Sequence, residues 1–278
     1  MGISNKLDLS VVICVSDDIR IEKTLESIKE NCEVVVVLNQ PSEEVINIIN
    51  KYKNNDCFEL NVYKLPEKNL GKARNIGTKH AKNEKLVFID SDCIVTNGSL
   101  KKYDILLDNY LLVDGRVKYR DDSFQSKIIS KVREQGIPGY ALCPSMGINK
   151  KILEFSNGYF FDEDIKWVED AELNDRLNGK IKIGVINEIT CIHDNLTFKL
   201  DLTSAYRYGT GVKRAVKKNL YKPGPQPNWF LLKKISKEDL LASIYFIIWN
   251  GAYCLGYYTG KEQDNENIRT KRMGNKRS

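Results

Sequence analysis

The sequence predicts an α/β chain: a doubly wound, mostly parallel sheet with a helical, basic extension at its C-terminal end. Three observations carry this. Apolar runs of strand type recur at residues 9–15, 33–38, 60–65 and 86–89, separated by segments with helical spacing. The second run holds four consecutive valines, the pattern of a strand covered on both faces. The fourth stops at Asp90-Ser91-Asp92, and ligands in such sheets sit at the C-terminal edge of the strands.

Taken in order, residues 9–15 form the first strand. Residues 19–30 form the first helix, with Ile21, Leu25 and Ile28 at helical spacing. After the valine strand, Pro41-Ser42 opens a second helix, with Glu43 and Glu44 in the first turn, where the helix dipole favours carboxylates. The third strand, at 60–65, leads to a basic loop with Lys68, Gly71 and Lys72, then to a helix carrying Arg74 and Asn75. His80 on that helix reads as structural. Beyond the fourth strand, Asp90 and Asp92 would share a face if the strand continued. Where strand gives way to loop they can diverge, one toward a metal and one toward a sugar hydroxyl.

Residues 98–108 predict a helix, 110–117 a strand, 123–135 a polar helix and 136–139 a mobile loop. Another strand is expected at 141–148, carrying Ser145, Met146 and Gly147 toward an acceptor. The acidic stretch at 160–164 contains a second Asp-x-Asp and reads as a solvated loop. Chance alone gives about 1.3 such pairs for 19 Asp in 278 residues, so only context separates the two. Val168, Leu173 and Leu177 then face the core from a helix whose first turn holds Glu169 and Asp170. A Gly179 turn enters a strand that ends near His193.

Residues 204–220 make a basic helix with Lys213, Arg214, Lys217 and Lys218, and 223–227 a proline-rich turn. Two units are expected: residues 1–222, and an extension of 223–278. Charge divides in a similar way. Residues 1–198 hold 27 Lys and Arg against 31 Asp and Glu, whereas residues 199–278 hold 16 against 6, a balance of +10. That excess points to an anionic membrane surface. Nucleic acid is not expected as a partner, because neither a stacking-aromatic nor a zinc-finger pattern accompanies the charge. Seven scattered cysteines, none in a Cys-x-x-Cys pair, suit a reducing compartment without structural zinc. The apolar run at 9–15 is closed at once by Asp17 and Asp18, so no signal peptide is expected.

The segment LGKARNIGTKHAKNEKLVFIDSD resembles the nucleotide-binding core of family-2 glycosyltransferases, which have the GT-A fold. Gly71, Ala73, Asn75 and Gly77 fit the Gly-x-Ala-x-Asn-x-Gly pattern position by position, and the following strand ends in Asp-x-Asp. Glu169-Asp170, Arg176, the Gly179 turn and His193 are similar to the family's Glu-Asp motif and the features after it. Two positions depart from the pattern. Asn39 stands where the family often offers an Asp to the nucleotide base, and Cys14-Val15-Ser16-Asp17 replaces the usual Pro and aromatic residue.

The resemblance implies an inverting glycosyltransferase that moves a sugar from a nucleotide-diphosphate donor, most readily a UDP-sugar, to a hydroxyl of a saccharide or lipid-linked acceptor. Asp92 and His193 would bind Mn²⁺ or Mg²⁺. Asp90, Arg74, Lys72 and Asn39 would hold the donor. Asp170 would act as base, with Glu169 positioning it or the acceptor. Two other classes share some of these features. A metal-dependent nucleotidyltransferase would carry a Gly-rich phosphate loop after the first strand, where Val15-Ser16-Asp17-Asp18 has no glycine. A catalytically silent nucleotide-sugar-binding membrane scaffold has no chemical need for Asp92, Asp170 and His193 together.

Residues 240–258 form an uncharged run of 19, close to the roughly 20 that span a bilayer. Asn250, Gly251 and Gly256 interrupt it, and Trp249, Tyr253, Tyr257 and Tyr258 crowd its second half. Such aromatics favour the interface. A helix packed on the catalytic unit is one reading. The favoured expectation is a monotopic helix on the cytoplasmic face of the cell membrane, followed by a basic tail.

Overall fold

The computed structural model describes residues 6–136, 139–221, 224 and 229–261. Strands β1 (Leu9–Val15), β2 (Glu33–Asn39), β3 (Glu59–Leu65) and β4 (Lys85–Phe88) alternate with helices α1 (Ile21–Ser27), α2 (Glu43–Lys51) and α3 (Leu70–His80), as expected. Then come β5 (Cys93–Val95), α4 (Ser99–Leu106), β6 (Leu112–Tyr119), α5 (Phe124–Arg133) and β7 (Met146–Asn149). A 3-10 turn (Lys150–Glu154) precedes α6 (Glu169–Leu177), β8 (Ile183–His193), α7 (Phe198–Lys217), α8 (Trp229–Glu238) and α9 (Leu240–Thr259).

The described strands join one sheet in the order β3-β2-β1-β4-β7-β6-β8-β5. β1 to β4, β6 and β8 run one way, and β7 and β5 run against them. Alternation along the valine strand explains the double winding. Val34 and Val36 join Val11 and Ile13 in a layer with Ile21, Leu25, Val45 and Ile49 of α1 and α2. Val35 and Val37 face the other way, into a layer with Val12, Ala73 of α3, and Leu173 and Leu177 of α6. Each fully buried side chain of this size contributes roughly 1.5–3 kcal/mol, so the sheet's two faces carry the fold.

Local chemistry explains where bounds differ from expectation. α1 starts at Ile21 and not at residue 19, because Asp18 accepts the Arg20 amide at 3.0 Å and holds the chain in a turn. β4 stops at Phe88, and Cys93 donates to the Asp90 carbonyl at 3.2 Å, closing a turn that launches β5. The strand expected at 141–148 shrinks to Met146–Asn149. Its first half is a loop held on α6, with Ala141 donating to Asn174 Oδ1 at 3.0 Å. Ser145 lies in the core, its hydroxyl 2.8 Å from Tyr103 Oη and 2.6 Å from Thr190 Oγ1, and so does not face an acceptor.

Within α3 the small residues fall at points of close approach. A Cβ on Gly71 would lie 2.9 Å from the Asp162 carbonyl, and one on Gly77 would overlap the Val12 side chain. Asn75 donates to the Phe161 carbonyl at 2.9 Å and accepts from the Phe161 amide at 3.1 Å. The motif therefore locks α3 between the sheet and the 160–165 loop. In that loop the second Asp-x-Asp binds Lys218, which donates to both Asp162 oxygens at 2.7 and 2.6 Å and to Asp164 Oδ2 at 3.0 Å. His80 stacks on Tyr63, with centroids 4.1 Å apart.

Ile137 and Pro138 of the expected mobile loop, most of the proline-rich turn at 223–227, and the tail from 262 onward lie outside the described residues. So does the expected unit boundary at 222–223. α8 and α9 pack on α5 and α7, where Ile235, Ala242, Tyr245 and Phe246 meet Ile128, Ile129 and Val132. α7 and α9 touch backbone to backbone. A Cβ on Gly209 would overlap the Tyr253 carbonyl, and one on Gly256 the Tyr206 carbonyl. Gly251, one turn away, has nothing within 4 Å of an added Cβ. Gly256→Ala is therefore expected to lower stability by about 1–3 kcal/mol in urea unfolding. Gly251→Ala should raise it by up to about 1 kcal/mol through helix propensity.

Candidate active site

Arg74 lies at the centre of the cluster beyond the C-terminal ends of the parallel strands. Helix α3 projects it under the sheet edge, where it is 5% exposed. Its guanidinium meets Glu169 Oε1 at 2.5 Å and Asp90 Oδ1 at 3.6 Å, and it lies 5.7 Å from the Phe161 ring centroid. One cation thus ties α3 to the end of β4 and the first turn of α6. Glu169 is itself 1% exposed. Burial pushes its carboxyl up to about 7, against the opposing pull of Arg74.

Asp170 stands next to this pair but faces differently. It is half-buried, its Oδ1 accepting from the Ala171 amide at 2.8 Å and its Oδ2 from the Cys143 amide at 3.1 Å. Burial raises its pKa, while Arg74 and the two backbone amides pull it down. The 139–145 loop that supplies one of those amides is pinned by Asn174, which binds both the amide and the carbonyl of Ala141. Tyr140 Oη adds a bond to the Ala171 carbonyl at 3.1 Å.

At the other end of Asp90-Ser91-Asp92, β5 pairs with β8 in a register that sets Cys93 opposite His193. Asp92 Oδ2 lies 3.4 Å from His193 Nε2. Asp92, Cys93 and His193 bring their ligand atoms within 4.8 Å of one another. His193 Nδ1 sits 2.8 Å from the Asp194 carbonyl, which can only accept, so Nδ1 carries a proton and Nε2 is the nitrogen turned toward Asp92. Tyr119 stacks on the ring with centroids 4.9 Å apart. Cys93 is fully buried, and its hydrogen bond with Cys191, with burial, pushes its thiol far above the usual range. The oxygen of Asp92 and the nitrogen of His193 are ligand types that suit a divalent ion of the Mn²⁺ or Mg²⁺ kind, whereas the buried Cys93 thiol is not.

Sequence reasoning missed Arg20. It makes a two-pronged pair with Asp18 at 2.8 and 2.6 Å, and reaches Asp92 Oδ2 at 3.1 Å and Asp194 Oδ2 at 3.6 Å. A signal was present, since an arginine at a helix N-terminus opposes the dipole and calls for another partner.

The structure divides the residues that the sequence grouped as donor-binding. Asp90 borders the cluster with its side chain 40% exposed. Arg74 is buried, its charge engaged inside the protein by two carboxylates. Lys72 is exposed at its side chain and pairs with Glu67 at 2.7 Å. Asn39, at the end of β2, accepts the Asn69 amide at 2.9 Å, and Asn69 in turn caps α3. Glu169 is buried against Arg74. Removing the guanidinium would leave a buried carboxylate unpaired, so Arg74→Met is expected to cost about 3–5 kcal/mol, with much of that recovered in the Arg74→Met/Glu169→Gln double variant. The raised pKa of Glu169 also has a sign in stability. The folded chain holds that proton more tightly than the unfolded chain, whose carboxyl has the ordinary value of 4.5, so the stabilisation is complete below about pH 4.5 and lost as pH rises through about 7. Glu169→Gln should flatten this decline when melting temperature is followed against pH.

Comparison with known proteins bears on the family and the fold. The description Glycosyl transferase family 2 matches residues 10–162, more than half of the chain. Poly(ribitol-phosphate) beta-N-acetylglucosaminyltransferase TarS of Staphylococcus aureus is 27% identical over 152 residues, covering 51% of this chain and 26% of TarS. The match thus spans about a quarter of that relative's length. Among solved structures, TarS 1–349 with UDP-GlcNAc aligns with a TM-score of 0.54 at 16% identity, covering 95% of this chain and 92% of that one. The mannosyltransferase PcManGT of Pyrobaculum calidifontis, in complex with GDP-Man and Mn²⁺, aligns at 0.60 and 16% identity, covering 97% and 81%. At that identity the structural likeness speaks for the fold, which is of GT-A type. The matched profile, ending where the loop against α3 begins its turn toward α6, settles the family: the chain is a glycosyltransferase and belongs to glycosyl transferase family 2.

Proposed function

We propose that this glycosyltransferase moves a sugar from a nucleotide-diphosphate donor to an acceptor hydroxyl by single displacement, inverting the anomeric centre, with Mn²⁺ or Mg²⁺ bound. The observation that carries the reading is the separation of charges along the sheet edge. Arg74 pairs with Asp90 and Glu169, while Asp170 stands half-buried beside this pair and Asp92 meets His193. A base and a cation site are thereby kept apart, and the reacting bond would lie between them.

Asp170 would take the proton of the attacking hydroxyl through a carboxylate that Ala171 and Cys143 hold in place. Glu169, locked on Arg74, would fix the turn that aims Asp170. Asp90 would accept a hydrogen bond from the donor's ribose, and Asn39 would reach the base edge. Asp92 and His193 would hold the divalent ion, which supplies charge stabilisation for the departing diphosphate. TarS solved with UDP-GlcNAc and PcManGT solved with GDP-Man and Mn²⁺ support a nucleotide-sugar donor and a metal. We place the acceptor among saccharides or lipid-linked glycans, at the cytoplasmic face of the cell membrane. The basic C-terminal eighty residues support that location.

A panel of nucleotide-sugars in thermal shift with Mn²⁺ identifies the donor, since a ligand at a hundred times its Kd stabilises by about 2.7 kcal/mol. With that donor, Asp170→Asn should leave Kd nearly unchanged and lower kcat by about 10²- to 10⁴-fold. Asp92→Ala should abolish the Mn²⁺-dependent part of nucleotide binding in calorimetry. Wild-type binding that ignores EDTA would remove the metal from the scheme.

A further inference from the structure

Helix α9 has two faces of opposite logic. Its inner face is built for this protein alone. Tyr245 donates to Asp201 Oδ2 at 2.7 Å, and Arg133 donates to Asp201 Oδ1 at 2.8 Å from α5. Arg133 also lies 5.5 Å from the Tyr208 ring and 5.1 Å from the Trp249 ring. Close contact through Gly209 and Gly256 fixes the same face on α7, where Thr210 Oγ1 donates to the Gly256 carbonyl at 3.3 Å.

The outer face carries Leu240, Leu241, Ile244, Ile247, Ile248, Gly251, Leu255 and Tyr258, which are all the exposed residues between 240 and 258. They recur at helical spacing and form one stripe. Leu240 is 72% exposed, Ile247 58% and Leu255 55%. An ordinary surface helix turns charges to water, and this one turns none along 19 residues. Lys233, Lys234 and Lys237, all exposed on α8, stand before the stripe, and Lys261 follows it.

By length and composition α9 could cross a bilayer, with a mean hydropathy of 1.3. Spanning would strip the cover from Asp201 and Arg133 and place the polar inner face in hydrocarbon. A lipid surface met side-on leaves that network intact and buries only the stripe. The flanking lysines favour an anionic headgroup layer over a second copy of this chain, whose own α8 lysines would be brought into the same contact.

We infer that the outer face of α9 docks in the plane of an anionic lipid bilayer, with the helix still packed on α5 and α7. Docking does not depend on the transfer chemistry, and its test contains no turnover. Full-length protein is sedimented with phosphatidylcholine vesicles containing or lacking phosphatidylglycerol, at low salt. Wild type should pellet with the anionic vesicles. Ile244→Asp/Ile248→Asp should lower the partition coefficient by at least about tenfold while keeping the wild-type melting curve, since both side chains are already exposed in the folded protein. Lys233→Gln/Lys234→Gln/Lys237→Gln should reduce the preference for phosphatidylglycerol. Wild type that stays in the supernatant, or a double aspartate variant that pellets as well as wild type, would overturn docking. So would a vesicle-free dimer in sedimentation equilibrium that the aspartates dissociate, because the stripe would then belong to a second copy. Protection of the segment after Lys261 from protease added outside sealed vesicles would indicate spanning and also overturn it.

Discussion

The buried ion pair between Arg74 and Glu169 is the contact on which the candidate site depends. It joins elements 95 residues apart in sequence and lies where the sheet's parallel strands end. A guanidinium at 5% exposure is held there only because carboxylates surround it, and Glu169 is held only because the guanidinium faces it. Such a pair contributes little net stability, yet removing one half is costly. Its use is geometric: it sets the first turn of α6 against the end of β4, which places Asp170 and Asp90 on the same rim.

The other half of the rim depends on strand pairing. β5 is three residues long and, among the described strands, pairs with the end of β8. That short ladder brings His193 to Asp92, with the Asp194 amide on the Asp92 carbonyl at 3.0 Å holding the turn. Arg20 already supplies positive charge to the Asp92 carboxylate. A metal entering beside His193 would therefore meet a carboxylate shared with a guanidinium, and its affinity would reflect that sharing.

Much of this was legible in the sequence. The valine strand, the Gly-x-Ala-x-Asn-x-Gly spacing and the strand ending at Asp90 gave the sheet, the packing of α3 and the site's location, because each depends on local pattern. The first turn of α6 was legible for the same reason. The carboxylate partners of Arg74 were not legible, because a basic residue after a glycine loop looks the same whether its partner is a phosphate or a carboxylate 95 positions away. The 141–145 loop read as strand because it is apolar in composition, although Ala141 is buried and Leu142 exposed. Its backbone bonds go to Asn174 and Asp170 of α6, partners that no period in the segment announces. Arg20 and the two faces of α9 are tertiary facts. The same uncharged run would read alike as core, as span or as lipid-facing surface.

The proposed single displacement assisted by Asp170 has a stereochemical consequence that no binding assay reaches. Proton NMR during turnover, with water or a sugar hydroxyl as acceptor, reads the anomeric configuration of the first product before mutarotation. An α-linked nucleotide donor should give the β product. Retention of the α configuration would contradict the mechanism, because a single in-line displacement must invert the anomeric carbon.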